Sequence, residues 1–283
     1  MSSATISMNP HAAQRASPPA MVASLWRNRR LLSQLVKREV VGRYRGSVFG
    51  LAWSFFNPLV MLAIYTFVFS EVFKMRWGGN ESETKAEFAI VLFAGIVVHS
   101  FFAEVLARAP GVILGNANYV KKVVFPIEIL PVVAVGTSLF HGVVSLAVLL
   151  LAFVVFNGYV HWTLVFTPLV WLPFFIFTLG VSWILAALAV FLRDVGQTIG
   201  IITMALMFLS PVFYPVTALP PHLRPWLMAN PLTFIIEQTR EVLVWGHLPN
   251  WHGLGIYAVA AIAVCWAGYV LFQKTRRGFA DVL

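Results

Sequence analysis

Two aspartates and one cysteine are all that 283 residues hold of those types, and only 11% of the chain is charged. Each scarcity excludes a class of chemistry. A lone Cys265, set in a late apolar run, allows neither a disulfide framework nor a cysteine-built metal site. With aspartate confined to Asp194 and Asp281, the chain has no obvious acidic cluster of the kind that holds Mg²⁺ against a phosphorylated substrate. There is no G-x-x-x-x-G-K-[ST] to cradle ATP and no H-E-x-x-H to hold zinc. GLGIYA (253–258) has the letters of a dinucleotide fingerprint, but no βαβ unit surrounds it to give those glycines work. No catalytic or metal-ligating residue is assigned, and a membrane enzyme is disfavoured.

What fills the chain instead is apolar. It is 59% hydrophobic with a mean hydropathy of +0.82, whereas soluble domains are about a quarter charged. The reading is an all-α polytopic membrane protein. A span needs about 20 apolar residues, and six are predicted: Val48–Phe73, Phe88–Arg108, 128–156, 163–191, Val195–Tyr214 and Leu254–Phe272. NGYVHW (157–162) is the turn that splits the longest apolar stretch. Between the fifth and sixth spans the chain stays apolar but carries prolines at 211, 215, 220, 221, 225, 231 and 249. Such a segment survives at membrane depth only when buried in protein or lining a wet cavity. A pair of short re-entrant helices is predicted there.

Six spans place both termini on one side. Fifteen of the twenty Lys and Arg fall on that side and five on the other, which by the positive-inside rule makes it cytoplasmic. The net charge of +9 is thereby explained by topology without nucleic acid. Residues 1–24, rich in Ser, Ala and Pro, are expected to form a disordered cytosolic tail, followed by a helix over 25–47, the membrane domain over 48–273 and a short cytosolic tail over 274–283. In the helix, Leu25, Leu31, Leu32, Leu35, Val36 and Val40 share one face, and Arg27, Arg30, Lys37, Arg38 and Arg45 gather opposite. Arg29, Glu39 and Arg43 fall off the pattern. An amphipathic helix of this kind suits a membrane surface. Joined without a linker to the first span, it is expected to continue that span rigidly, with Gly42, Gly46 and Gly50 allowing close helix approach. Within the spans, Glu104 and Arg108 stand four apart and read as a local ion pair. His141 reads as a hydrogen-bonded packing residue.

Several stretches in order carry a resemblance: KREVVGRYRGSVFGLAWSFFNP (37–58), YTFVFSEVFKMRW (65–77), NANYVKKVVFPIEILP (116–131), FLRDVGQ (191–197), SPVFYPVTALP (210–220) and NPLTFIIEQTRE (230–241). From about residue 25 to 275 the chain resembles the membrane subunit of type-2 ABC exporters, in the branch that exports lipid-linked O-antigen and related polysaccharides across the bacterial inner membrane. The resemblance implies a homodimer working with two copies of a separate cytosolic ABC ATPase, which binds the ATP and Mg²⁺; this chain would bind no cofactor. It implies ATPase-coupling segments at Asn116, Asn118, Tyr119, Lys121 and Lys122 and at Arg193, Asp194 and Gln197. It makes 26–45 a gate helix, whose Lys37, Arg38, Arg43 and Arg45 could attract the pyrophosphate of a polyprenyl carrier or membrane lipid. It also places Trp53, Phe56, Tyr65, Phe208 and Tyr214 among residues lining a channel. Teichoic acid, capsular polysaccharide, a small lipid or a drug stay open as alternative cargo, and a membrane glycosyltransferase is a distant rival.

Overall fold

The computed structural model describes residues 17–72, 77, 85–121 and 125–283; every described element is helical. Two amphipathic helices, α1 (Pro18–Arg27) and α2 (Arg29–Arg43), precede α3 (Trp53–Thr66), which begins from a 3-10 turn and ends in a π-helical turn. Next come α4 (Lys85–Arg108), two short helices α5 (Gly111–Leu114) and α6 (Ala117–Lys121), and the long pair α7 (Ile129–Asn157) and α8 (Thr167–Phe191). The chain closes with α9 (Val195–Leu209), α10 (Arg224–Met228), α11 (Pro231–Arg240), α12 (Trp251–Thr275) and α13 (Phe279–Val282).

Five of these stretches are long and apolar enough to cross a membrane: Gly50–Phe69, Ala86–Arg108, Ile129–Asn157, Trp162–Phe191 and Trp251–Val282. The predicted fifth span appears as α9, apolar but only 15 residues long. At 1.5 Å per residue that is about 22 Å, short of a hydrocarbon core of about 30 Å; Ser210 then leaves the helix in an extended conformation. The proline-rich segment does form short helices. Asn230 caps α11 by accepting from the Leu232 N–H at 2.9 Å, and Pro231 occupies the first turn where no N–H is needed. Asn250 caps α12 in the same way through the Gly253 N–H at 3.0 Å.

The centre of the bundle is α4. From Phe88 to Phe102 every residue but Ser100 is buried, against α3, α7, α8, α9 and α11. Beside it α8 and α12 pack at backbone contact, since a Cβ on Gly180 would lie 2.6 Å from Cys265 backbone atoms. By contrast α3 and α9 keep most of their apolar side chains exposed.

The N-terminal region departs from expectation in three ways. Residues 18–24, expected in a disordered tail, are helical, and the surface helix is two helices meeting at Asn28. Its apolar face is covered by protein: Leu31, Leu32, Leu35 and Val36 pack with Ile129 and Val133 of α7 and with Phe125. The approach is close because Gly136 has no side chain; a Cβ there would sit 2.8 Å from Val36 Cγ2. Nor does α2 run rigidly into the first span. Gly46 and Gly50 have φ of +86° and +51°, a left-handed backbone that other residues adopt at a cost, so the two helices meet through a jointed turn. Among the described residues no atom would lie within 4 Å of a Cβ on Gly42, Gly46 or Gly50; Gly46 and Gly50 serve the turn. At the other terminus the expected tail is folded in. Phe279 is fully buried against Phe191 and Phe272, and Arg276 reaches the buried Glu128 carboxylate at 3.1 Å.

Candidate functional site

Two residue pairs with i,i+4 spacing face each other where α2 crosses the end of α4, and their signs are reversed. Glu39 on α2 accepts from Arg108 Nη2 at 2.7 Å, and Arg43 Nη1 donates to Glu104 at 2.6 Å. Glu104 and Arg108, read from sequence as a pair of their own, are 3.6 Å apart; each has its shorter bond to α2. The result is a chain of alternating charge, Glu39–Arg108–Glu104–Arg43, with no net charge. These groups are a fifth to a half exposed, so each link contributes only about 0.2–1 kcal/mol. Acting together they fix the register of α2 on the bundle.

His141 of α7 extends the chain. Its Nδ1 lies 2.9 Å and 3.0 Å from the two Glu104 oxygens, and its Nε2 lies 3.2 Å from the Tyr44 hydroxyl. Burial pushes the Tyr44 phenol above its ordinary range. The Glu104 carboxylate can only accept, so Nδ1–H faces it, and the Tyr44 hydroxyl partners Nε2. The packing residue expected from sequence is thus a strut between three helices.

The same groups floor a cavity of about 290 Å³ between α3, α4 and α7. Asn57, Tyr65, Ser100 and Ser145 line it, with Phe93 and Phe101 among the apolar walls. Ser100 is the exception in the buried run of α4, and its hydroxyl opens into this space.

Two segments are expected from the resemblance to meet an ATPase. Asn116 donates to the Val112 carbonyl at 2.8 Å and so closes the turn before α6. Asn118 is exposed. Tyr119 stacks on Phe125 at 4.5 Å, and its hydroxyl is 3.5 Å from Arg38 Nη1, the outer limit of a hydrogen bond. Lys121 closes α6, and Lys122 falls outside the described residues. Arg193, Asp194 and Gln197 are exposed at the start of α9. The start of α9 approaches the end of α4, since a Cβ on Gly196 would lie 3.9 Å from Pro110. Beneath them, Ile113 and Ile127 share one buried cluster with Phe272 and Phe279, so the C-terminal segment supports this surface.

Of the four basic residues on the surface helix, Arg43 is committed to Glu104, whereas Lys37, Arg38 and Arg45 are exposed. The aromatic candidates divide as well. Trp53, Phe56 and Phe208 are exposed. Tyr65 contacts Phe69 and Phe213, and Tyr214 donates to the Phe208 carbonyl at 2.9 Å.

Glu39, Glu128 and Arg240 escaped the sequence reading as site residues. Glu39 and Arg43 had left a signal, being charges that fell off the helical-wheel pattern of α2. Arg240 is 1% exposed, and four acceptors surround it: the carbonyls of Val91 (3.0 Å), Pro211 (2.6 Å) and Val212 (2.9 Å) and the Glu237 carboxylate (2.8 Å). Its guanidinium also lies 4.1 Å from the Trp77 ring centroid. It joins α11 to α4 and to the segment after α9 at the end of α4 remote from α2.

A helical bundle with five apolar membrane-length stretches and an amphipathic helix tied by charge to its central span is the architecture of a polytopic membrane protein. Residues 30–244 match the ABC-2 type transporter family, and the chain belongs to that family. It is 28% identical over 263 residues to the O-antigen export system permease protein RfbA of Myxococcus xanthus, covering 92% of this chain and 98% of that protein. The Klebsiella pneumoniae protein of the same name is 27% identical, over 89% of this chain and 95% of its own. The polysialic acid transport protein KpsM of Escherichia coli is 21% identical, over 84% and 91% respectively.

Proposed function

We propose that the chain is the permease subunit of an ABC exporter that moves a lipid-linked polysaccharide, O-antigen in the first place, across the bacterial inner membrane. Two copies form the conduit, six spans each with both termini in the cytoplasm, and two copies of a cytosolic ATPase supply the energy. The chain itself binds no ATP and no cofactor. The observation that carries the reading is the end-to-end similarity to O-antigen export permeases, which spans 92% of this chain and 98% of that of Myxococcus xanthus. The geometry supports it. Asn118 and the stretch Arg193–Gln197 offer exposed side chains to an ATPase, and α2 is bonded to the central span and reaches Tyr119 through Arg38. The exposed faces of α3 and α9, with Trp53, Phe56 and Phe208, are where a second copy and the conduit would meet the chain. Among the basic residues, Lys37, Arg38 and Arg45 are the ones available to a pyrophosphate, because Arg43 is already paired.

Capsular polysaccharide is the second reading, favoured by the similarity to KpsM over 84% of the chain. One pair of experiments tests both. Gentle-detergent purification of the tagged chain should bring down a stoichiometric soluble protein with a P-loop; a chain that emerges alone from several detergents overturns the borrowed-motor reading. Disrupting the gene should remove long-chain O-antigen from the cell surface while capsule remains, and the reverse pattern assigns the capsule.

A further inference from the structure

We infer that the cavity between α3, α4 and α7 is a binding site for one uncharged polyhydroxylated ring, a sugar unit of the polymer or the sugar head group of a glycolipid. The inference deepens the export reading and rests on it for the source of the ring; the chemistry of the cavity is argued independently.

The first observation is unspent hydrogen-bonding capacity. Asn57, Tyr65, Ser100 and Ser145 all line the cavity, and none of their side chains bonds another described residue. An amide and three hydroxyls offer both donors and acceptors. At membrane depth such groups require a partner, because lipid supplies none. Water or a polyol satisfies them equally well; an acyl chain does not.

The second observation is charge. The only ionised groups at the cavity floor, Arg43 and Glu104, are bonded to each other, and His141 is bonded to the same carboxylate. Among the described lining residues an incoming phosphate would meet a cation already paired, and an incoming cation a carboxylate already shared. The balance selects a neutral ligand.

The third is size and shape. About 290 Å³ is at the lower edge of small-ligand pockets, which run from about 300 to 1,000 Å³, and equals the liquid volume of about ten waters. That admits one ring but no length of polymer. Met61, 38% exposed, and the half-buried ring of Tyr65 offer apolar surface to the C–H faces of a ring while the hydroxyls and the amide meet its edge.

The test uses the full chain in its isolated complex, in lipid nanodiscs, with Cys265→Ala as a thiol-free background. Ser100→Cys and Ser145→Cys report from the cavity, and Ile201→Cys, on an exposed face at 72% exposure, is the control. The readout is the rate of labelling by a small methanethiosulfonate. Octyl β-glucoside below its micellar concentration should slow labelling about fivefold at both cavity cysteines, a difference of about 1 kcal/mol, and leave the control unchanged. Octyl phosphate and tetraethylene glycol octyl ether carry the same chain without a sugar and should not protect. Protection by methyl β-glucoside as well assigns a free ring of the polymer; protection by the octyl glucoside alone assigns a glycolipid head group. Asn57→Leu should abolish the protection while the unprotected labelling rate stays the same. Equal protection by all three octyl compounds, protection by none, or protection that survives Asn57→Leu overturns the inference. Because labelling requires no ATPase, such a failure is distinguishable from failure of the export reading, which the purification decides.

Discussion

The two ends of α4 are both held by arginine, and they are held in opposite ways. At one end Arg240 is sealed from solvent and donates to three backbone carbonyls and one carboxylate. At the other, Arg43 and Arg108 are partly solvated and make their short bonds to carboxylates. Carbonyls belong to the backbone and cannot be titrated, screened or swung aside on a rotamer. Carboxylates on side chains can. One end of the central helix is therefore riveted, and the other is fastened by links that a modest change in position can exchange. The rearrangeable end is the one bonded to α2.

The most severe way to break this contrast is Arg240→Met. It removes the guanidinium from three buried carbonyls and strands Glu237, and should cost about 3–5 kcal/mol. The purified chain should show a large fall in melting temperature; a small fall would mean that the carbonyl cradle is not what holds the helices.

Gly95→Ala sharpens the same end. Its Cβ would meet Arg240 Nη2 at 2.7 Å and the Val212 backbone at 3.3 Å, and neither can yield easily. A loss of about 1–3 kcal/mol is expected, measured in the same melts, and it should be strongly non-additive with Arg240→Met.

At the adjustable end, Glu104→Gln removes the negative charge and one of the two acceptor oxygens that Arg43 and His141 share, and should cost about 1–2 kcal/mol. A double-mutant cycle with Arg43→Met should give a coupling of at least about 0.5 kcal/mol; a cycle that closes to zero would show that the charge chain carries no energy. Smaller still is Gly136→Ala, whose Cβ meets only a Val36 methyl at 2.8 Å. A side-chain tip can turn away, so the expected cost is below about 1 kcal/mol. At the bottom of the series, Arg45→Ala should leave stability within about 0.5 kcal/mol, because Arg45 is exposed and no described residue accepts a hydrogen bond from it. Any large effect of Arg45→Ala on transport would then reflect something other than folding.

The transmembrane plan was legible because length and hydropathy are properties of the chain alone. The caps of α11 and α12 were legible in principle for the same reason, since Asn230–Pro231 and Asn250 act on residues two or three positions away. What was hidden depended on how helices face each other. Glu39 and Arg43 were visible as misfits on an amphipathic wheel, yet a wheel does not say that the opposing surface carries Arg108 and Glu104 in the matching order. Arg240 looked like one more positive charge on the outer side, because nothing local marks the 149-residue separation between it and the Val91 carbonyl. The surface helix was assigned to lipid on the strength of its apolar face, and α7 proved to cover that face. Apolar periodicity reports that a side is covered and is silent on what covers it.

The order in which the chain is made gives the charge network at α2 a further meaning. When α4 enters the membrane, α7, α8 and α11 do not yet exist, and Glu104 and Arg108 stand at its partly solvated end. The groups that neutralise them, Glu39 and Arg43, belong to the segment already synthesised. Residues 39–108 thus contain a complete set of counter-charges before the next apolar segment leaves the ribosome, and His141 joins a pair that is already closed. The network is in that sense a provision for birth: it lets the helix destined for the centre wait in lipid, electrically balanced, for the neighbours that will later surround it.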